Sequence, residues 1–382
     1  MKRGILEMRS KDEFLRDLIG TENRPIVGWF STYTPVEILH AVGIIPHRVA
    51  ATRKSHDLAS FYLSESNCPY VMSCLEAGLQ GEYDFLDGIL VADHCDVFYS
   101  TYVTWTQQVQ TGFSHLFHVP RAATAHAERY FRKTIRTMTE KIGAHFGVRV
   151  TDDRLREAIA LCNRTRRLLD RLFSLRREHP DLIGEVRTAD IVRASMVGLN
   201  GAFNAELRAF LDEIEGQTPA SDESKPRILL CGGFLELLDL FELIEDLGAT
   251  VVCESLCNGV RYLEGTVREE GDPIEAFSRH YLGAVPQCRM LDGNWKFEYL
   301  WKLVKTYRVD GLVYFSLKFC ADVAMDFPPL MNRFEERNVP VLLLETDGFP
   351  ESWGQTATRI QAFLEMVEHK PLDQAWRTGV LG

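Results

Sequence analysis

A chain of 382 residues is too long for one ordinary core, so two or three domains are expected. Its 46% hydrophobic and 25% charged content is that of a globular protein. A net charge of −11 and a pI near 5.5 argue against bulk attraction to nucleic acid or an anionic membrane. No apolar run approaches the roughly 20 residues that span a bilayer, and the basic start Met1-Lys2-Arg3 is followed by no apolar signal segment. No nucleic-acid partner, no membrane partner and a cytoplasmic location are therefore expected.

In chain order, residues 1–120 alternate strand and helix signals and read as an N-terminal α/β domain. Pro25–Phe30 is a strand ending at Ser31-Thr32-Tyr33-Thr34. Pro35 opens a helix over Val36–Val42 that stops at Gly43. Gly43–Val49 is extended again, Cys74–Leu79 predicts a helix under the sheet, Gly88–Ala92 a strand, and Phe117-His118-Val119 another. His115 and His118 fall in a loop-to-strand passage and read as structural rather than as a metal pair. Residues 121–215 are a helical segment. Within it Leu155, Ile159, Cys162, Leu169 and Leu172 follow a 3.6-residue period behind a Thr151 or Asp152 cap, and Arg164–Arg171 reads as the solvated face.

Residues 216–226 are polar and turn-rich, a linker. Residues 227–382 then restart the α/β rhythm as a C-terminal domain. Arg227–Cys231 is a strand, Gly232-Gly233 a turn, Leu235–Leu247 a helix ended by Gly248, and Thr250–Cys253, Val313–Ser316 and Val341–Leu344 further strands. The short apolar runs bounded by turn residues are those of buried parallel strands. The fold class is α/β: two open Rossmann-like parallel-sheet domains with a helical segment between them. The strand order is not recoverable from the sequence.

Two cysteines occupy matching places. Asp87-Gly88 opens an apolar strand that closes near Cys95, and Asp310-Gly311 opens one that closes near Cys320. Ligands in open α/β sheets bind beyond the carboxyl ends of strands, so a thiol just past such a strand in each half suggests one site in the interdomain cleft. Cys68, whose backbone Pro69 restricts to extended conformations, could join them. Three thiolates from separate segments can hold an iron–sulfur cluster with one corner open. The competing reading is that each free cysteine is a small buried hydrophobe; it is preferred for Cys162, on an apolar helix face, and for Cys253, inside a strand.

Nine cysteines contain no C-x-x-C pair, so a zinc ribbon is excluded, and a reducing compartment disfavours a disulfide framework. Cys231-Gly232-Gly233 is only loosely like a phosphate loop, and neither G-x-G-x-x-G nor a Walker motif occurs. If the chemistry needs ATP, another protein must hydrolyse it. Glu345 and Asp347 follow a strand end, where functional carboxylates often sit.

An ordered set of segments resembles the 2-hydroxyacyl-CoA dehydratase and benzoyl-CoA reductase family, with its double-cubane-cluster relatives. They are Gly28–Glu37 with Gly43 and Pro46-His47-Arg48; Asn67-Cys68-Pro69-Tyr70-Val71; Tyr83–Gly88 running to Cys95-Asp96; and Leu256-Cys257-Asn258-Gly259. Gly271-Asp272-Pro273, Asp310-Gly311 to Cys320, Glu345-Thr346-Asp347, Gly354-Gln355 and Thr358-Arg359 follow in family order. The resemblance implies a [4Fe–4S] cluster ligated by Cys68, Cys95 and Cys320 between the two domains. Cys74 is an alternative or additional ligand, and Cys257 and Cys288 keep a larger iron–sulfur cluster open.

It also implies an acyl-CoA substrate, a dimer with a homologous second subunit or with itself, and an ATP-hydrolysing iron–sulfur activator that delivers single electrons. The implied activity is that of a lyase. One electron added to the thioester carbonyl of a 2-hydroxyacyl-CoA makes a ketyl, which expels the α-hydroxyl and acidifies an otherwise inert β-hydrogen. Ser31 is the candidate catalytic hydrogen-bond partner for the substrate oxygen; Arg48, Arg53 and Lys54 are candidates for CoA phosphates. A reductase subunit, a non-catalytic accessory protein of the same fold and a plain binding module are the alternatives.

Overall fold

The structure, a computed structural model, describes residues 24–52, 55–180, 182–198, 200–217, 225–284, 286–349 and 353–369. Two four-stranded parallel sheets carry the architecture. The first comprises β1 (Ile26–Trp29), β2 (Ile45–Arg48), β3 (Gly88–Asp93) and β4 (Phe113–His118), ordered β2-β1-β3-β4. The second comprises β5 (Arg227–Gly232), β6 (Thr250–Ser255), β7 (Gly311–Leu317) and β8 (Val341–Thr346), ordered β6-β5-β7-β8. The same order recurs, and so do its details. Asp87 accepts from the Ile26 N–H at 2.7 Å and Asp310 from the Arg227 N–H at 2.9 Å, so each Asp-Gly turn also ties down the start of the neighbouring strand.

In each sheet the chain reverses winding between its first and third strands, which opens a crevice at their carboxyl ends. Gly232 lies at one such end with φ +127°, and a Cβ there would collide with the Phe315 carbonyl oxygen. Only glycine fits this approach of β5 to β7.

Helices α1 (Glu37–Val42), α2 (Pro69–Leu79) and α3 (Asp96–Gln108) accompany the first sheet. Helices α4 (Ala125–His145), α5 (Asp152–Glu178), α6 (Glu185–Ser195) and α7 (Asn200–Ile214) form the segment between the sheets. Helices α8 (Asp239–Asp246), α9 (Pro273–Gly283), α10 (Gly293–Thr306), α11 (Ala321–Glu335) and α12 (Trp353–His369) accompany the second sheet. Thr151 caps α5 by accepting from the Arg154 N–H, and Gly43 ends α1 in the left-handed region, both as the sequence predicts. Much of the linker, 218–224, lies outside the described residues. No helix among the described residues is long and apolar enough to cross a membrane.

Several expectations need correction. The helix expected at Cys74 begins five residues earlier, at Pro69, because proline at the first helical position needs no N–H partner. The helix expected at Leu235 begins only at Asp239. His115 and His118 both lie on β4, where a three-residue spacing puts them on opposite faces.

Arg164–Arg171 is not a uniformly solvated face. Arg166 is buried and pairs with the equally buried Glu37 at 2.7 Å. Tyr281 donates to the other Glu37 oxygen at 2.7 Å, and Arg166 also reaches Tyr281 and Asn163. Asn163 in turn exchanges hydrogen bonds with the backbone of Val267. This network bolts α1, α5 and the α9 region together.

Histidines in this junction are held neutral. Burial lowers His40 to about 4 and His280 to about 3, with the Arg166 charge adding to the effect at His280. An unfolded histidine takes its proton near pH 6.5. Between that value and about 4 the unfolded chain therefore binds more protons than the folded one, and stability falls as pH falls, by up to about 1.4 kcal/mol per pH unit for each residue. Urea midpoints measured from pH 7.5 to 5 are expected to decline, and to decline less steeply in His280→Phe. An identical slope in the variant contradicts this account.

Candidate iron–sulfur site

Cys68, Cys95 and Cys320 each occupy the N-cap position of a helix: α2, α3 and α11. The irregular segments expected around Cys95 and Cys320 are thus short. Only His94 separates β3 from Cys95, and Lys318-Phe319 separates β7 from Cys320, with Phe319 in the left-handed region at φ 62°. A helix start presents unsatisfied N–H groups and a positive dipole end, both of which favour a thiolate. The N–H groups of Tyr70 and Val71 act on the Cys68 sulfur, those of Phe98 and Val97 on Cys95, and that of Val323 on Cys320. None meets the full geometry of a capping hydrogen bond.

The three thiols are neighbours. Cys68 and Cys320 interact sulfur to sulfur, and Cys95 feels the charge of Cys68. The neighbouring Cys320 thiol lowers the pKa of Cys68, against burial, and Cys68 raises that of Cys320, where burial adds to it. Burial pushes Cys95 up to about 12.

Among the described residues no three His, Cys, Asp or Glu side chains converge on one point as a mononuclear site would require. A cubane binds each thiolate to a different iron, so its ligands stand apart. The donor set, all sulfur and at three helix starts, fits such a group.

Cys74 is elsewhere. It lies inside α2, roughly 9 Å along the axis from Cys68 at 1.5 Å per residue, fully buried, with its sulfur 4.0 Å from the Val49 carbonyl. Cys162 is buried in the helical segment and Cys253 in β6, as expected for packing residues. Cys257 and Cys288 form a buried pair with sulfurs 3.9 Å apart, and Cys288 acts electrostatically on Cys320.

Ser31 follows β1 and is fully buried, its Oγ 2.9 Å from His94 Nδ1. The Tyr33 N–H donates to that oxygen at 3.4 Å. Burial, reinforced by the Arg289, Arg121 and Arg261 charges, holds His94 neutral. The Tyr70 ring stacks on Phe234 at 4.3 Å, and Phe98 and His94 pack against Phe234 at 6.2 and 5.9 Å. One aromatic residue from the second half thus closes on three rings of the first.

Arg48 corrects an expectation. It is buried and paired with Glu236, and Tyr70 accepts from it, so it is not displayed to a phosphate. Arg53 and Lys54 lie outside the described residues. Glu345 sits within β8, exposed, and Asp347 pairs with Lys318 at 3.7 Å. Gly232-Gly233 serves the close contact with Phe315 already described. His94 and Phe234 were not singled out from the sequence. The adjacency of His94 to Cys95 was the available signal for the first, and nothing local marked the second.

Two matching α/β halves with thiols at their carboxyl edges define the class, and the sequence comparisons define it further. The profile of the 2-hydroxyglutaryl-CoA dehydratase D-component family matches residues 31–367, and the chain belongs to this family. It is 25% identical over 342 residues to the (R)-phenyllactyl-CoA dehydratase beta subunit of Clostridium sporogenes, covering 89% of this chain and 91% of that protein. It is also 25% identical to a benzoyl-CoA reductase subunit of Thauera aromatica, covering 87% of each. The (R)-2-hydroxyglutaryl-CoA dehydratase beta subunit of Acidaminococcus fermentans is 22% identical, over 90% of this chain and 93% of that one. The chain is thus a subunit of the dehydratase and reductase enzymes that this family comprises.

Proposed function

We propose that this chain is the [4Fe–4S]-carrying subunit of a 2-hydroxyacyl-CoA dehydratase, with Cys68, Cys95 and Cys320 as cluster ligands. The meeting of three helix-start thiols from both halves of the molecule carries the reading. When bound, the cluster supplies a low-potential electron and an iron without a protein ligand, able to polarise a substrate oxygen. The chain's own residues prepare the site. Helix starts steady the thiolates, and Tyr70, Phe98 and Phe234 exclude water from the cleft. Ser31 stands by the substrate oxygen, its hydroxyl oriented by neutral His94.

The reaction is loss of water from a 2-hydroxyacyl-CoA. One electron reduces the thioester carbonyl to a ketyl, the α-hydroxyl and a β-proton depart, and the electron is recovered as the enoyl-CoA forms. An ATP-hydrolysing iron–sulfur activator delivers the electron, and the subunit pairs with a homologous second subunit or a copy of itself in the cytoplasm. Relatives named as beta subunits of dehydratases support the pairing.

A reductase is the second reading, favoured by the Cys257–Cys288 pair beside Cys320, which would suit a larger cluster, and by the likeness to the benzoyl-CoA reductase chain of Thauera aromatica. Anaerobic assay with activator, ATP and a panel of acyl-CoAs separates them. The dehydratase reading predicts enoyl-CoA formation from a 2-hydroxyacyl-CoA without net consumption of reductant. Stoichiometric reductant use with an aromatic acyl-CoA would replace it, and no turnover with any substrate would leave only an accessory role.

A further inference from the structure

Among the described residues six lysine and arginine side chains are buried: Arg48, Arg166, Arg176, Arg261, Arg289 and Lys296. Four have a carboxylate partner, respectively Glu236, Glu37 and Glu185 for the first three and Asp326 for Lys296. Among the described residues Arg261 and Arg289 have none within ion-pair distance; Arg261 stands beside Cys257, and Arg289 beside the backbone that leads into Cys95.

Arg289 follows Cys288 in the chain and reaches across to the first sheet. Its Nε donates to the His94 carbonyl at 2.7 Å, Nη1 to Pro120 at 3.0 Å, and Nη2 to Val119 at 3.0 Å and Asp93 at 3.3 Å. Its guanidinium also lies 5.4 Å from the Tyr33 ring centroid. It therefore gathers the carboxyl ends of β3 and β4 one residue before Cys95. Arg261 donates to the Ser255 carbonyl at 2.9 Å, to Ser255 Oγ at 3.2 Å and to Cys257 Sγ at 3.5 Å. Cys257 and Cys288 favour its charge most, followed by Tyr299 and Tyr314, while the carboxylates of Glu254 and Asp326 feel it from beyond ion-pair distance.

Neutral hydrogen-bond partners do not neutralise a guanidinium, and with Glu254, Asp326 and Asp322 felt only from beyond ion-pair distance each buried charge is incompletely compensated, which is unfavourable. A cubane core held by three thiolates is a net anion, and its negative charge grows on one-electron reduction. We infer that Arg261 and Arg289 are the counter-charges of this anion: they retain the cluster, and by favouring its reduced form they raise its reduction potential. The inference rests on the proposed ligand set, and it makes both arginines positioning residues, acting through the cluster rather than on substrate.

The test uses the full chain purified anaerobically, with iron and sulfide counted and the midpoint potential read by paramagnetic resonance during titration with titanium(III). Arg261→Gln and Arg289→Gln are each expected to shift the midpoint to more negative values by about 60 mV or more, a tenfold change in the one-electron equilibrium. Arg261→Lys and Arg289→Lys are expected to recover most of that shift. Should a glutamine variant lose its iron, retention in the matching lysine variant supports the charge role, and loss in both overturns it. Full iron with an unshifted midpoint in both glutamine variants overturns the inference alone. A wild-type chain without iron overturns the ligand set and this inference together.

Discussion

Arg166→Ala is expected to destabilise the fold by about 3–5 kcal/mol, the range for breaking a buried ion pair from one side. Arg166 and Glu37 are 3% and 0% exposed, so neither can fall back on water. Burial alone would raise the Glu37 carboxyl. The Arg166 charge and the Tyr281 hydroxyl outweigh it and hold the carboxyl below its ordinary value. Removing the guanidinium leaves Glu37 to take up a proton or drag water into the junction. The damage is also topological, since the same network reaches Asn163 and the Val267 backbone. Arg166→Met combined with Glu37→Leu removes both charges and is expected to cost less than Arg166→Ala alone. Urea unfolding of the three proteins checks this; a double variant less stable than the single would contradict it.

Much of the fold could be read from the residues because its signals are local. Asp87-Gly88 and Asp310-Gly311 mark strand starts, Gly43 and Gly248 mark helix ends, and short apolar runs such as Leu312–Phe315, bounded by turn residues, read as buried strands. The two missed helix starts have opposite causes. Cys68-Pro69 carries both an extended signal for Cys68 and a helix-start signal for Pro69, and both operate in the structure. Leu235 is apolar and helix-favouring, yet the N–H and carbonyl of its backbone are taken by Asn258, which delays α8 to Asp239.

Arg166 lay within reach of sequence reasoning, because it falls four residues after Cys162 on the apolar stripe of α5. Its partner Glu37, 129 positions earlier, did not. The same holds at the candidate site. A thiol past each Asp-Gly strand was visible, whereas the Ser31–His94 contact, the Phe234 seal and the reach of Arg289 across the halves join residues 63 to 196 positions apart. Periodicity carries no information about such pairings.

Loss of iron is the other large effect expected. Cys95→Ala and Cys320→Ala each remove one sulfur from a set of three, and a site with so few protein ligands has none in reserve unless Cys288 or Cys257 substitutes. Cys162→Ala, a buried packing change in the helical segment, removes a thiol of no consequence to the site. Cys74→Ala, inside α2 and against Val49, is expected to behave like Cys162→Ala.

The wild-type chain and these four variants, purified without oxygen, should be compared by iron and sulfide content and by paramagnetic resonance after one-electron reduction. Four irons and four sulfides per chain with a cubane signal (about eight irons if Cys257 and Cys288 serve a larger cluster) are expected in the wild type. The same content is expected in Cys162→Ala and Cys74→Ala, with the signal lost from Cys95→Ala and Cys320→Ala. An iron-free wild type, or equal iron and identical spectra in all five proteins, would contradict the assignment of these thiols as ligands.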